Sequence, residues 1–231
     1  DVDVFQGLIK LLDTMSLGQM AVVLPRTEDA ARQVRLLREV VKSSRLKMVA
    51  EVEVGDTNTE LATQVAALLA ARPDVVLSLG SYRMTEALVR QMRLAAFKGL
   101  LVTHSNVGTQ RLVTALKGVA GGLGVASGLP SPNSAQLAAA REFRAAMDRL
   151  GEDGRNAIDE SSFEGYLAVR VFSQGMRQLS AGATRRGLRQ VLAARPLEIA
   201  GLVFDYRRAN ERGLQTPGSL YVMAPDGRII Q

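Results

Sequence analysis

Three short segments of this 231-residue sequence carry side chains suited to holding a small ligand. In the first, Ser81-Tyr82, a tyrosine ring can pack on an apolar group of a ligand while its hydroxyl bonds a polar one. The second, Ser105-Asn106, offers short hydrogen-bonding groups. The alternatives are a tyrosine that caps the following helix and ordinary loop chemistry at Ser105 and Asn106. With these alternatives kept open, both segments are predicted to contact the ligand.

The third segment is the loop 25–29, which contains Arg26 and Thr27. The planar fork of an arginine binds a carboxylate through two parallel hydrogen bonds. Arginines in loops are more often solvated surface residues, and this reading of Arg26 is the favoured one. Arg26 and Thr27 complete the candidate ligand-binding residues.

Catalysis finds little support in the sequence. His104 is the single histidine and there are no cysteines, which excludes histidine-cluster metal sites, disulfides and thiolate chemistry. His104 and Ser105 are adjacent, so on an extended segment they point to opposite sides and do not form a nucleophile and its base. The glycines of segment 118–128 match neither a dinucleotide fingerprint nor a phosphate loop. We expect no enzyme activity, no metal and no cofactor.

The net charge of +6 does not indicate nucleic-acid binding. The basic residues are scattered among acidic ones, without a clustered stripe or interleaved aromatic residues. No apolar run approaches the roughly 20 residues that span a bilayer. We expect neither nucleic acid nor membrane insertion.

The elements that must position these residues alternate between strand and helix over the first half of the chain. Apolar runs at 20–24, 48–54, 75–79 and 100–103 predict strands that lie side by side in a parallel sheet. Helical periodicity separates them. The predicted helices cover residues 4–15, 28–44, 58–71, 85–96 and 108–116, with a capping box at Thr57 and Glu60 for the third. Ligands bind beyond the carboxyl ends of such strands, which selects the loops 25–29, 80–83 and 104–108.

The second half is predicted to be rich in helices. A glycine-rich segment, 119–129, reads as a crossover strand and linker. The predicted helices are 133–150, capped by Asn133, then 162–179, opened by a capping box of Ser161 and Glu164, then 184–194. The predicted strands are 201–206, 219–223 and 228–231, with a turn at Asp226-Gly227. We therefore predict an α/β lobe of residues 1–118, joined by 216–231, and a helix-rich remainder of residues 119–215.

The long helices of the second half outnumber the strands available to cover them. They are expected to present an apolar stripe that this chain cannot cover, made of Leu137, Phe143, Met147, Phe163, Leu167 and Val171. The strands that would cover it are expected before Asp1, as in a fragment or a truncated relative.

Several stretches resemble the type I periplasmic substrate-binding proteins of ABC transporters, in particular the branched-chain amino-acid family. They are AARPDVVL at 70–77 followed by Gly80-Ser81-Tyr82, FKG at 97–99 leading to Ser105, EGYLAVR at 164–170, and Asp226-Gly227-Arg228. Their order and spacing agree with the family across nearly the whole chain. The loop 25–29 departs from the family, which commonly places an aromatic residue and a glycine there, so amino-acid specificity stays open.

The resemblance implies two Rossmann-like lobes with parallel sheets, the first lobe incomplete here, and a ligand held in the cleft between them. It implies a ligand contact at Tyr82, a small amino acid or related carboxylate or amide as the ligand, and a membrane permease as partner. It also implies a periplasmic location, with the signal peptide outside this chain. A ligand-sensing regulatory domain of the same fold is the alternative. An enzyme on a doubly wound fold is the third possibility, for which no paired catalytic residues are found.

Overall fold

The computed structural model describes residues 2–55, 58–179, 184–207, 219–224 and 229–230. It divides the chain into two compact units. Unit 1 comprises Asp1–Gly128 and Gly218–Gln231, and unit 2 comprises Leu129–Pro217. Residues 119–128, assigned from the sequence to the helix-rich remainder, thus belong to unit 1.

Unit 1 is built on a seven-stranded sheet. Its strands are β1 (Gln19–Pro25), β2 (Lys47–Val54), β3 (Val75–Ser78), β4 (Leu100–His104), β5 (Leu123–Ser127), β8 (Ser219–Met223) and β9 (Ile229–Ile230). They are arranged in the order β2-β1-β3-β4-β5-β8-β9. The first five are parallel, whereas β8 pairs antiparallel with both β5 and β9. The predicted parallel arrangement of the first four strands is confirmed.

The burial of each strand follows its place in the sheet. All residues of β3 and β5 are buried, as expected for parallel strands covered on both faces. The edge strand β2 instead alternates between exposed and more buried positions. The glycine-rich segment was predicted to hold a crossover strand, and β5 is that strand. It lies inside the sheet between β4 and β8, and the missing side chain of Gly124 leaves room for the side chains of Leu220 and Val102 beside its backbone.

Five helices cover the two faces of this sheet: α1 (Val2–Thr14), α2 (Glu28–Val41), α3 (Asn58–Ala70), α4 (Tyr82–Leu94) and α5 (Thr109–Ala115). Two separate apolar clusters result. One cluster contains residues of α1 and α2 and strand residues such as Val22. The other contains residues of α3, α4 and α5 and strand residues on the opposite face of the sheet, such as Val23. The neighbours Val22 and Val23 thus point to opposite faces, as the two-residue period of a strand requires.

Helix α4 begins three residues before its predicted start at Thr85. Ser81 is its N-cap and accepts a hydrogen bond from the Met84 N–H. The capping box predicted for Thr57 and Glu60, and the turn predicted at Asp226-Gly227, lie outside the residues whose side chains or backbone the structure describes.

Unit 2 contains four helices and a small hairpin within its described residues. The helices are α6 (Ala138–Asp148), α7 (Gly151–Asn156), α8 (Glu160–Arg177) and α9 (Arg185–Ala194), and the strands are β6 (Leu197–Ile199) and β7 (Leu202–Phe204). The strands pair antiparallel around Ala200 and Gly201, both with positive φ, as a two-residue type I′ turn requires. The strand predicted at 201–206 is therefore one arm of a hairpin.

This hairpin corrects the expectation of an uncovered apolar stripe. Phe143, Phe163, Leu167 and Val171 are all buried, in one cluster with Leu197, Ile199, Leu202 and Phe204, and Leu137 and Met147 pack against it. The sequence prediction was wrong because it missed β6 and so counted too few strands. The exposed apolar residues of α8 are instead Val169 and Phe172, which keep 63% and 53% of their surface accessible.

Two predicted helix starts in unit 2 are also wrong. Asn133 does not cap α6, which begins at Ala138; the preceding segment is held by Arg144, which donates to the Pro132 carbonyl at 2.6 Å. The capping box of α8 is formed by Asp159 and Ser162, rather than by Ser161 and Glu164. Within the described residues, the helices are too short or too polar to cross a membrane.

Candidate ligand-binding site

The predicted site residues all lie at the carboxyl edge of the unit 1 sheet. Strands β1, β3 and β4 are consecutive neighbours, and Val23, Ser78 and Thr103 align in register across them. The loops that follow these strands therefore leave the sheet side by side. This is the edge at which parallel sheets bind ligands.

A buried polar network fixes the loop between β3 and α4. The hydroxyls of Ser78 and Thr85 lie 2.9 Å apart, and the Gly80 N–H donates to Ser78 Oγ at 3.3 Å. Thr103 of β4 donates its hydroxyl to the Ser78 carbonyl at 3.5 Å. Because these groups are buried and satisfied, they hold the loop in one conformation.

Tyr82 is the first residue of α4, directly after the N-cap. It is half-buried, with part of its side chain against the cluster formed by α3, α4 and α5. The helix-capping role proposed as the alternative for Tyr82 belongs to Ser81, whose hydroxyl accepts from Met84 N–H at 3.4 Å. Tyr82 thus stands at the edge of the sheet with a ring supported from one side by the core.

Arg111 of α5 contacts this ring and was not identified from the sequence. Its guanidinium carbon lies 4.3 Å from the centroid of the Tyr82 ring, a cation–π contact. The two residues are 29 positions apart, and only the adjacency of β3 and β4 brings them together. The one sequence signal is that both residues lie in the first turn of the helix that follows its strand.

Ser105 and Asn106 form a short 3-10 turn immediately after β4. Ser105 is half-buried and Asn106 is exposed. The Ser105 carbonyl accepts the N–H of Gly108, whose φ of +78° belongs to the left-handed region that glycine tolerates best. The two side chains remain predicted ligand contacts, at the same edge as Tyr82.

Arg26 and Thr27 lie at the end of β1 and are both exposed. Thr27 is the N-cap of α2, and its hydroxyl accepts from the Ala30 N–H at 3.2 Å. A capping threonine still has its own O–H to donate. Ser81 and Thr27 are therefore the N-caps of α4 and α2. Ligand binding by these two residues and by Arg26 stays a prediction.

His104 ends β4 between the buried strand and the exposed turn. Burial lowers the pKa of its ring below the ordinary value of 6.5, while a hydrogen bond with the Gly80 backbone opposes this shift. Its Nδ1 atom is buried and has no hydrogen-bond partner among the described residues. A neutral imidazole is thus favoured at this edge.

The described residues do not assemble a metal-binding cluster. In the part of the chain that the structure describes, no group of three or more His, Asp or Glu side chains could hold a metal ion. A groove of about 390 Å³ lies at the opposite, amino edge of the sheet, lined by Arg93, Lys98 and Val119 among others. Arg93 donates there to the carbonyls of Phe97 and Gly121, and so connects α4 to the segments before β4 and β5.

Solved structures with the same fold include a ligand-binding receptor and a substrate-binding protein. An extracellular ligand-binding receptor from Verminephrobacter eiseniae ef01-2 superposes with a TM-score of 0.88 at 20% identity over 100% of this chain and 65% of its own. An ABC transporter substrate binding protein from Aeropyrum pernix gives 0.83 at 17% identity, over 99% and 62%. A putative branched-chain amino acid ABC transporter protein from Rhodospirillum rubrum gives 0.78 at 15%, over 99% and 65%.

The chain thus spans about two thirds of the length of these structures, slightly less in each case. No curated protein matches the sequence. The family model described as periplasmic binding protein matches residues 11–228, nearly the whole chain. This chain therefore belongs to the periplasmic binding protein family.

Proposed function

We propose that this chain is part of an extracytoplasmic solute-binding protein of an ABC transporter, and that it binds a small amino acid or a related carboxylate or amide for uptake. The observation that carries the proposal is Tyr82: an aromatic ring with a hydroxyl, supported by the core, at the carboxyl edge of a parallel sheet. Ser105 and Asn106, in the turn after the neighbouring strand β4, supply further polar groups at that edge.

The comparisons support a binding role in transport rather than catalysis. Two of the similar structures carry ABC transporter in their names, and one of these names branched-chain amino acids. A transport protein of this kind works outside the cytoplasm and presents its closed, loaded form to a membrane permease, with closure driven by contacts made only in that form. Unit 1 corresponds in this proposal to the second lobe of the family fold.

The test is ligand binding by the full-length protein. A thermal-shift screen of amino acids, small amides and aromatic or aliphatic carboxylates identifies ligands, because a ligand at 100 times its Kd adds about 2.7 kcal/mol to stability. Calorimetric titration then gives Kd for the wild type and for Tyr82→Ala. We expect Tyr82→Ala to weaken binding at least about tenfold, or 1.4 kcal/mol.

Two further variants separate binding from folding. Tyr82→Phe keeps the ring and removes the hydroxyl, so it should lose less affinity than Tyr82→Ala. Tyr206→Ala is a matched control, since Tyr206 is also half-buried but lies in unit 2. The proposal is overturned if no compound of the screen stabilises the protein, or if Tyr82→Ala folds normally and binds with unchanged Kd.

A further inference from the structure

Arg111 and Tyr82 form a stacked pair at the carboxyl edge of the unit 1 sheet. The guanidinium carbon lies 4.3 Å from the ring centroid, well within the roughly 6 Å at which cation–π attraction acts. Tyr82 is half-buried and Arg111 is exposed. The ring therefore restrains a cation that remains accessible to solutes.

The hydrogen-bonding capacity of Arg111 is not used within the described part of the chain. Its guanidinium makes no hydrogen bond or ion pair there besides the contact with Tyr82. The two nearest arginines in sequence on α4 differ: Arg90 pairs with Glu86 at 3.1 Å, and Arg93 donates to two backbone carbonyls. Five N–H donors of Arg111 are thus available to a ligand.

The two loops that follow β3 and β4 offer no carboxylate that would compete for this cation, whereas Glu28 and Asp29 follow β1, on the side of β3 away from β4. Residues 79–85 and 104–111, which follow β3 and β4, contain neither Asp nor Glu, but include Arg83 and Arg111. An ammonium group bound between these two loops would meet a guanidinium and no compensating negative charge from either of them. A carboxylate would meet the opposite charge and a planar set of donors that matches its two oxygens.

We propose that Arg111, held against Tyr82, is a specificity-determining residue that binds a carboxylate of the ligand and makes this edge selective for organic acids over amides. This inference rests on the proposed function, because it assumes that the solute binds at this edge. The stacking on Tyr82 strengthens the binding of a carboxylate by Arg111, since a restrained side chain loses less conformational freedom on binding than a free one.

The experiment compares matched acids and amides on the full-length protein. The probes are 4-methylpentanoate with 4-methylpentanamide and benzoate with benzamide, pairs that keep the apolar group and change the charge. We expect at least one acid to bind at least about tenfold more tightly than its own amide. Arg111→Gln should reduce that ratio to within about twofold, and Arg111→Lys, which keeps the charge without the fork, should retain part of it.

The control for a general loss of positive charge is Arg35→Gln, an exposed arginine on α2 with no contact at this edge. It should leave the ratio unchanged. Far-ultraviolet circular dichroism and the melting temperature of each variant establish that it folds.

Each outcome decides the inference. Equal binding of acid and amide by the wild type overturns it, as does an unchanged ratio in Arg111→Gln or an equal loss in Arg35→Gln. If in those cases Tyr82→Ala still weakens binding, the proposed function stands and only the selectivity assigned to Arg111 falls. If no probe and no compound of the wider screen binds, both are overturned.

Discussion

The half-buried ring of His104 links the candidate site to the stability of unit 1. Its Nδ1 atom has no partner among the described residues, and the pKa of the ring is lowered mainly by burial. A proton on this ring is thus less favourable in the folded protein than in the unfolded chain. The sequence pointed to this residue only as an unlikely catalyst, because burial and an unpaired ring atom depend on the packing of Gly80 and β4.

The first prediction concerns pH. Because the folded pKa of His104 lies below the unfolded one, the unfolded state binds more protons as the pH falls below about 6.5, and the free energy of unfolding should decrease. This stability is fully present above that pH and is lost as the pH falls through the folded pKa. Urea unfolding between pH 7.5 and 5.5 measures it. His104 is the single histidine, so His104→Asn should remove the dependence in this range.

A nuclear magnetic resonance titration of the ring gives an independent reading. A ring pKa at or above 6.5, or a wild-type stability that rises as the pH falls from 7.5 to 5.5, would contradict the assignment.

At the same scale, the site was only partly predictable. Tyr82 and Ser105 could be proposed because they follow apolar runs that form strands, and a parallel sheet brings the ends of its strands to one edge. Arg111 could not, since its contact with Tyr82 requires the strand order and the helix directions at once. The hydroxyls of Ser81 and Thr27 were placed at the carboxyl edge of the sheet, where they lie, but their capping bonds depend on where α4 and α2 begin.

At the scale of elements, the start of α8 shows why helix boundaries are hard to read from sequence. The segment Asp159-Glu160-Ser161-Ser162 contains several residues suited to an N-cap. In the structure Asp159 accepts the Ser162 N–H at 2.8 Å, and Ser162 Oγ accepts the Asp159 N–H at 3.0 Å. The alternative start at Ser161 fits the same sequence pattern, and only the reciprocal hydrogen bonds of Asp159 and Ser162 distinguish the two.

The second prediction tests this boundary. Asp159→Ala should lower the free energy of unfolding of unit 2 by about 1 kcal/mol, the usual cost of losing an N-cap side chain. Asp159→Asn should recover most of this loss, because asparagine caps about as well. The matched control is Ser161→Ala, an exposed position that should change stability by less than about 0.5 kcal/mol. Chemical denaturation measures all three, and a larger effect at Ser161 than at Asp159 would favour the boundary read from the sequence.

The hairpin of β6 and β7 shows the opposite problem, an element too short to recognise. Leu197–Ile199 and Leu202–Phe204 contain three residues each, and Ala200 at the first turn position is an unusual choice where φ is positive. The long, continuous apolar runs of β1 and β3 were recognised because burial on both faces leaves an unmistakable pattern. The parallel sheet was therefore predictable, while the element that covers α6 and α8 was not.

At the scale of the whole molecule, the two units have separate cores. Unit 1 has one apolar cluster on each face of its sheet, and unit 2 has a third cluster that shares no residue with them. The third cluster is centred on aromatic side chains: the rings of Phe143 and Phe163 lie 5.1 Å apart, and those of Phe143 and Tyr166 lie 5.5 Å apart. The sequence indicated two parts, but it placed the division at Gly118 because β5 was read together with its glycine-rich surroundings.

The third prediction is that core damage in unit 2 is local. Phe163 is fully buried, so Phe163→Ala should cost about 3–5 kcal/mol, the usual range for a buried aromatic residue. Because its contacts lie within the third cluster, amide hydrogen exchange should accelerate in α8 and the β6–β7 hairpin while protection in β1, β3 and β4 persists. Phe172→Ala, at an exposed position of the same helix, is the matched control and should change exchange little. An equal loss of protection in both units after Phe163→Ala would show that they unfold as one cooperative body, and the separation of cores would then have no energetic consequence.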